Sequence, residues 1–302
     1  MRHFQRPSRP AAVSNQAMAA TSHPLATATA IDVLRDGGNA VDAAVAAAAV
    51  LCLAEPHMTG IGGDCFVLYS PKGGLPLALN GSGRAPAAAT LDWYVERGFN
   101  EIPERSAHAV TVPGAVDTWF RLLADFGTRA MEELLQPAIR LAEEGCPVAP
   151  RVAFDFTKAC ARVADDQVAA PLFLCGGEPL ALGETVRQPL LAATLRRIAK
   201  AGRAGFYEGP VADDMVARLR ALGGLHTLED FASQQSVYET PISVAYAGHE
   251  VYECPPNGQG IVALMMLNAL ARFDLFDADC VCAETRPKRR NENRSSVAFA
   301  GE

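Results

Sequence analysis

The chain has 302 residues, enough for one large domain or two small ones. Hydrophobic residues make up 49% and charged residues 20%, with 13 phenylalanines, which excludes intrinsic disorder over most of the length. With 27 basic against 34 acidic side chains the net charge is −7, a sign that repels phosphate backbones and argues against a nucleic-acid partner.

The first twenty residues read as a flexible arm. Ser22-His23-Pro24 opens a helix, with Ser22 as cap and Pro24 in the first turn. Leu25, Ala28, Ile31 and Leu34 recur at helical spacing, and Gly37 or Gly38 ends the run. Asn39 restarts a helix with Asp42 three residues on, a capping-box pattern, and Val41 to Leu53 is apolar all round, as a fully buried helix requires. A glycine loop at 60–63 feeds Cys65 to Tyr69, expected as a buried strand, and Leu75 to Leu79 is expected to pair back across Gly73-Gly74. Val110-Thr111-Val112 reads as a further short strand before Pro113-Gly114.

Helical spacing then recurs at Val116, Trp119, Phe120 and Leu123, and at Leu135, Ile139 and Ala142. Pro189 and Pro210 each stand at a first helical position, and Thr227 with Asp230 caps one more short helix. Ile242 to Tyr246 alternates as a strand, the chain returns from Gly248 to Cys254, and a Pro-Pro-Asn-Gly-Gln-Gly loop at 255–260 leads into a helix from Ile261 to Ala271. Strands near both ends and a long helical middle indicate an α+β class without regular βαβ alternation.

The eight cysteines form no CxxC pair and read as reduced, structural thiols. The six histidines show no metal-ligand spacing, and neither a metal nor an organic cofactor is expected. No apolar run approaches the ~20 residues of a membrane span and no secretory signal is visible, so a cytoplasmic, membrane-free protein is expected. The glycine loop at 60–63 follows a helix and precedes a strand, the reverse of a dinucleotide fingerprint. Thr21-Ser22-His23 places hydroxyls beside an imidazole, but a helix cap explains that triplet. Arg84, in Asn80-Gly81-Ser82-Gly83-Arg84-Ala85-Pro86, stands among small residues and can offer its planar fork to a carboxylate; on spacing alone an ordinary solvated arginine is the commoner case.

Several motifs in unbroken order give a sharper reading. They are Gly37-Gly38-Asn39-Ala40-Val41-Asp42-Ala43-Ala44, Glu55-Pro56-His57-Met58-Thr59-Gly60-Ile61-Gly62-Gly63, Gly83-Arg84-Ala85-Pro86 and Val112-Pro113-Gly114-Ala115. Further along come Pro137 to Gly145, Gly205-Phe206-Tyr207, Gly223-Gly224 with Asp230-Phe231, and the 255–260 loop. Together they resemble the large-subunit region of the γ-glutamyltransferase (glutathione hydrolase) family over about residues 21–275. The resemblance implies part of an αββα N-terminal-nucleophile sandwich, incomplete without a small subunit cut from the same precursor. It implies an acyl transfer or hydrolysis of γ-glutamyl amides such as glutathione, through an N-terminal threonine that is both nucleophile and, by its amine, base. It makes Arg84 the holder of the substrate α-carboxylate. No match to the threonine-bearing segment is found, so no catalytic residue is assigned within the chain and the isolated chain is expected to be inactive. Residues 276–302 turn basic and polar, and are expected to be a solvated or mis-framed tail. Two readings follow: a catalytic large subunit completed by a separate nucleophile, or a non-catalytic remnant that binds γ-glutamyl compounds or a partner subunit. A related acyl-amide acylase is a variant of the first.

Overall fold

A computed structural model describes residues 12–273, the side chain of Ala159 excepted. Helices are α1 (Pro24–Arg35), α2 (Ala40–Ala54), α3 (Leu91–Glu96), α4 (Ala115–Phe126), α5 (Met131–Glu144), α6 (Pro150–Val163), α7 (Pro189–Ala201), α8 (Ala204–Tyr207), α9 (Pro210–Ala221), α10 (Leu228–Ala232) and α11 (Gly260–Leu270). Strands are β1 (Cys65–Tyr69), β2 (Leu77–Gly81), β3 (Cys146–Pro147), β4 (Leu174–Cys175), β5 (Glu178–Pro179), β6 (Thr185–Val186), β7 (Val237–Glu239), β8 (Ile242–Tyr246) and β9 (His249–Glu253). The chain divides into two compact units. One comprises the residues up to Cys65 together with Gly81–Ser236; the other comprises Phe66–Asn80 and the residues from Val237 onward.

The first unit is mostly helical and grows around α2. Asn39 accepts from the Val41 and Asp42 amides at 2.9 and 3.0 Å, and the Asp42 carboxylate accepts from the Asn39 amide at 2.8 Å, closing the expected capping box. Ala43, Ala46, Ala47, Ala49 and Val50 are buried, and these small side chains let α1 and α5 pack closely on either side. Ala44 alone in the apolar run is exposed, so the helix is buried on nearly all of its faces rather than on every one. The cap does a second job. Asp42 is fully buried and also accepts from the Thr128 amide, the Thr128 hydroxyl and the Arg129 amide, fastening the turn between α4 and α5 to the start of α2. Burial pushes its carboxyl up, but these bonds outweigh it and hold the pKa below the usual carboxylate value.

One expectation at the start of the chain needs correction. The cap of α1 is His23, whose Nδ1 accepts from the Leu25 amide at 3.2 Å; the Ser22 hydroxyl instead donates to Glu55. Helix α6 was not read from the sequence at all. It starts at Pro150 and buries Val152 and Phe156 against Val148, Phe173 and Leu180, a small satellite core beside the two-residue ladders β3–β6 and β4–β5.

In the second unit β1, β2 and β7 form a sheet in that order, β2 pairing antiparallel with β7 from Ala78↔Glu239 to Asn80↔Val237. The expected return strand lies at Leu77–Gly81, two residues later than the spacing suggested. Strand β1 is not fully buried: Phe66 and Leu68 on alternate positions are exposed, because an apolar residue on each face of this small sheet leaves one face uncovered. Strands β8 and β9 form a hairpin through Ala247 and Gly248, at φ 52° and 82°, the paired left-handed conformation of a tight two-residue turn. Helix α11 packs on this hairpin and leaves Ile261, Val262, Met265 and Met266 exposed.

Candidate functional site

Arg84 sits in the first unit on a loop, Gly81 to Pro86, whose shape depends on three glycines. Gly83 has φ +78°, and a Cβ there would lie 1.8 Å from the Val112 carbonyl oxygen. A Cβ on Gly81 would lie 1.7 Å from Thr118 Oγ1, and one on Gly114 1.9 Å from the Gly81 oxygen. At Gly83 and Gly114 backbone therefore packs directly on backbone, and at Gly81 on the Thr118 hydroxyl, so only residues without side chains fit. Val110–Val112, expected as a strand, has no ladder. It is an extended segment whose Val112 amide donates to the Arg84 carbonyl at 2.9 Å, while Pro113 removes the next donor. The glycine loop at 60–63 has a packing role as well: the Gly63 oxygen accepts from the Gly114 and Ala115 amides at 3.0 Å each, satisfying the N-terminus of α4.

Beneath the loop lies a buried polar network. Asp117 accepts from the Ser236 amide at 2.6 Å, the Ser236 hydroxyl at 2.7 Å and Arg203 Nε at 2.5 Å. Thr118 donates to the Gly114 oxygen at 2.9 Å and lies 2.9 Å from the Ser236 hydroxyl. The Tyr207 phenol donates to the Pro113 oxygen at 2.7 Å and accepts from the Asp117 amide at 3.1 Å, and burial pushes its pKa upward. Arg203 stacks over the Tyr207 ring at 4.4 Å and also donates to the Gln234 carbonyl. Arg84 itself is exposed, and its guanidinium forms no hydrogen bond or ion pair among the described residues. Of the whole set, the sequence singled out Arg84, the glycines and, within Gly205-Phe206-Tyr207, Tyr207. The network beneath joins Asp117 to Ser236, 119 positions apart, and no local pattern announces it.

Two hydroxyls beside an imidazole, those of Thr21 and Ser22, are bonded elsewhere. A cavity of about 970 Å³ is lined by Thr21, Ser22, His23, Glu55, His57 and Asp155, among others; Arg84 is not part of it. Within it Thr21 donates to the His23 carbonyl at 2.7 Å and Ser22 donates to Glu55, so neither hydroxyl meets an imidazole base. His57 Nε2 lies 3.5 Å from Asp155, which Arg151 also engages at 2.6 Å. Burial drives the thiols of Cys52 and Cys146 up to about 12 and about 11, so both are neutral at physiological pH and poor nucleophiles. Cys280 and Cys282 lie outside the described residues, as does the 276–302 tail. Among the described residues no three His, Cys, Asp or Glu side chains are grouped to hold a metal, and no helix is long and apolar enough to cross a membrane.

The pattern of the Gamma-glutamyltranspeptidase family matches residues 26–286, most of the chain and past the limit of 275 set by the motifs alone. The chain belongs to the gamma-glutamyltranspeptidase family. It is 37% identical over 264 residues to the Glutathione hydrolase-like YwrD proenzyme of Bacillus subtilis, covering 87% of this chain and 50% of that protein. It is 36% identical over 273 residues to the Oxamate amidohydrolase proenzyme of Klebsiella pneumoniae, covering 88% of this chain and 51% of that one. The chain thus spans about half the length of these curated relatives. Among solved structures, the gamma-glutamyltranspeptidase of Helicobacter pylori superposes with a TM-score of 0.82 at 30% identity, over 91% of this chain and 80% of that one. The cephalosporin acylase of Bacillus halodurans gives 0.81 at 41% identity, over 90% and 52%. The mixed α+β fold is accordingly that of the N-terminal-nucleophile hydrolases of this family, which includes both glutathione hydrolases and acylases.

Proposed function

We propose that this chain supplies the carboxylate-binding side of a γ-glutamyl acyl-transfer site, with Arg84 gripping the substrate α-carboxylate and the nucleophilic threonine contributed by a small-subunit partner. The observation that carries this reading is the state of Arg84: a guanidinium without a partner among the described residues, on a loop whose backbone is locked by glycine contacts. A planar fork held in this way suits the two oxygens of a carboxylate. The second half of the proposal is supported by the bonds of Thr21 to the His23 carbonyl and of Ser22 to Glu55, which leave neither hydroxyl paired with an imidazole or a free N-terminal amine. It is supported further by the proenzyme names of the relatives. Acyl transfer needs the nucleophile and the bound acyl group in one geometry, and on this reading the partner supplies the first and Arg84 orients the second.

Titration of the 302-residue chain with glutathione tests the binding half. Replacement Arg84→Lys keeps the charge and loses the bidentate geometry, so binding should weaken by about 1.5–3 kcal/mol. An unchanged dissociation constant removes Arg84 from the site. Hydrolysis of a γ-glutamyl anilide by the chain alone, abolished by Thr21→Ala or Ser22→Ala, would overturn the separate-nucleophile half.

A further inference from the structure

The exposed Arg84 side chain has no partner among the described residues to fix it, so its position is set by the backbone of its own turn. That backbone is fastened at two points. The Arg84 carbonyl accepts from the Val112 amide at 2.9 Å, and the Ala87 amide donates to Asp230 Oδ1 at 2.8 Å. Both fastenings are held by one short segment. His226, fully buried, places Nε2 2.9 Å from the Val110 carbonyl, two residues before Val112. Asp230 lies four residues after His226, at the start of α10.

The two carboxylate oxygens of Asp230 divide their work. Oδ2 alone completes the capping box of α10, accepting from the Thr227 amide at 2.8 Å and the Thr227 hydroxyl at 2.7 Å. Oδ1 is not needed for the cap, and it takes the Ala87 amide. A cap requires one acceptor, so the second contact, 143 positions away in sequence, has a separate consequence: it pins the far side of the Arg84 turn. Burial pushes the Asp230 carboxyl up, but the Ala87 and Thr227 bonds outweigh it and keep the group an anion at neutral pH, the form that accepts most strongly.

We propose that Asp230 is a positioning residue for Arg84, holding the Ala87 amide so that the guanidinium is presented in one place to an incoming α-amino-acid carboxylate. This rests on the carboxylate-binding reading of Arg84 given above. The helix cap and the positioning role are separable, because Thr227 serves only the first.

The experiment compares four variants of the full chain: Arg84→Ala, Asp230→Ala, Asp230→Asn and Thr227→Ala. Two quantities are read, the dissociation constant for glutathione by calorimetry and amide exchange of the peptide covering residues 82–90. Asp230→Ala should weaken binding about fivefold or more and speed exchange at Ala87 about tenfold. Thr227→Ala destabilises the cap to a similar degree yet should leave binding within about twofold of wild type. Asp230→Asn retains a carbonyl acceptor for the Ala87 amide and should recover most of the affinity. Equal losses in Asp230→Ala and Thr227→Ala, or unchanged binding and exchange in Asp230→Ala, overturn the proposal. If Arg84→Ala binds like wild type, or wild type does not bind, it is the carboxylate reading that fails; the exchange of the 82–90 peptide then decides alone whether Asp230 holds the turn.

Discussion

Replacing Asp117 by alanine should be among the most damaging single changes in the first unit. The carboxylate is 10% exposed and accepts three donors, two from Ser236 and one from Arg203. Its removal strands the buried Ser236 amide, which costs about 1–3 kcal/mol. It also leaves Arg203, 28% exposed at the side chain, without its counter-ion. Breaking a buried pair from one side costs about 3–5 kcal/mol. Arg203 keeps the Gln234 carbonyl and the face of Tyr207, so that part falls at or below the lower bound. The sum is about 4 kcal/mol, a large share of the ~5–15 kcal/mol by which a domain is stable. Arg203→Ala should cost less, about 2 kcal/mol, because Asp117 retains both Ser236 donors. Urea unfolding followed by far-UV circular dichroism gives both values from the shift in midpoint at constant slope. The double variant should cost clearly less than the two singles added, since the pair is removed together. A loss below about 1 kcal/mol for Asp117→Ala, or strict additivity in the double variant, would refute the idea that this carboxylate organises the ground under the Arg84 loop.

Two further outcomes follow from the same packing. Gly83→Ala forces a side chain into φ +78°, about 1–2 kcal/mol, and drives a Cβ into the Val112 oxygen; the loop must move, breaking the Val112 to Arg84 bond, for a total of about 2–4 kcal/mol by urea unfolding together with weakened glutathione binding. Asp42→Asn should destabilise the chain at pH 7 and flatten its acid denaturation curve. The folded-state pKa of Asp42 is depressed, so its contribution is fully present above the ordinary value near 3.8 and disappears as pH falls through the lower folded value; a variant as acid-sensitive as wild type would contradict this.

What the sequence revealed was local. The capping boxes of α2 and α10 each join residues three positions apart, Asn39 with Asp42 and Thr227 with Asp230, and both form as the pattern requires. Proline starts at Pro189 and Pro210 are equally short-range, and both hold. Failures came where a distant partner decides. Val110 to Val112 has strand composition, but its neighbour is a glycine loop that offers one carbonyl rather than an edge, so no ladder forms. His23 displaced Ser22 as a cap because Glu55, 33 positions on, claims the serine hydroxyl. In the candidate site Arg84 was legible through motif order, whereas Asp117, Arg203 and Tyr207 acquire their roles only when four separate segments meet.

The contacts among Gly81, Gly83 and Gly114 also decide where variation is tolerable around Arg84. A side chain at Gly83 would displace the main chain at Val112 and one at Gly114 the main chain at Gly81, while one at Gly81 would displace the Thr118 hydroxyl. Ala85 and Ala88, by contrast, are exposed, and the amide of neither is held by Asp230 as that of Ala87 is. New side chains can be placed at these two positions without disturbing the glycine contacts, so a library intended to alter what binds at the proposed carboxylate site should randomise Ala85 and Ala88 and leave Ala87 and the glycines untouched.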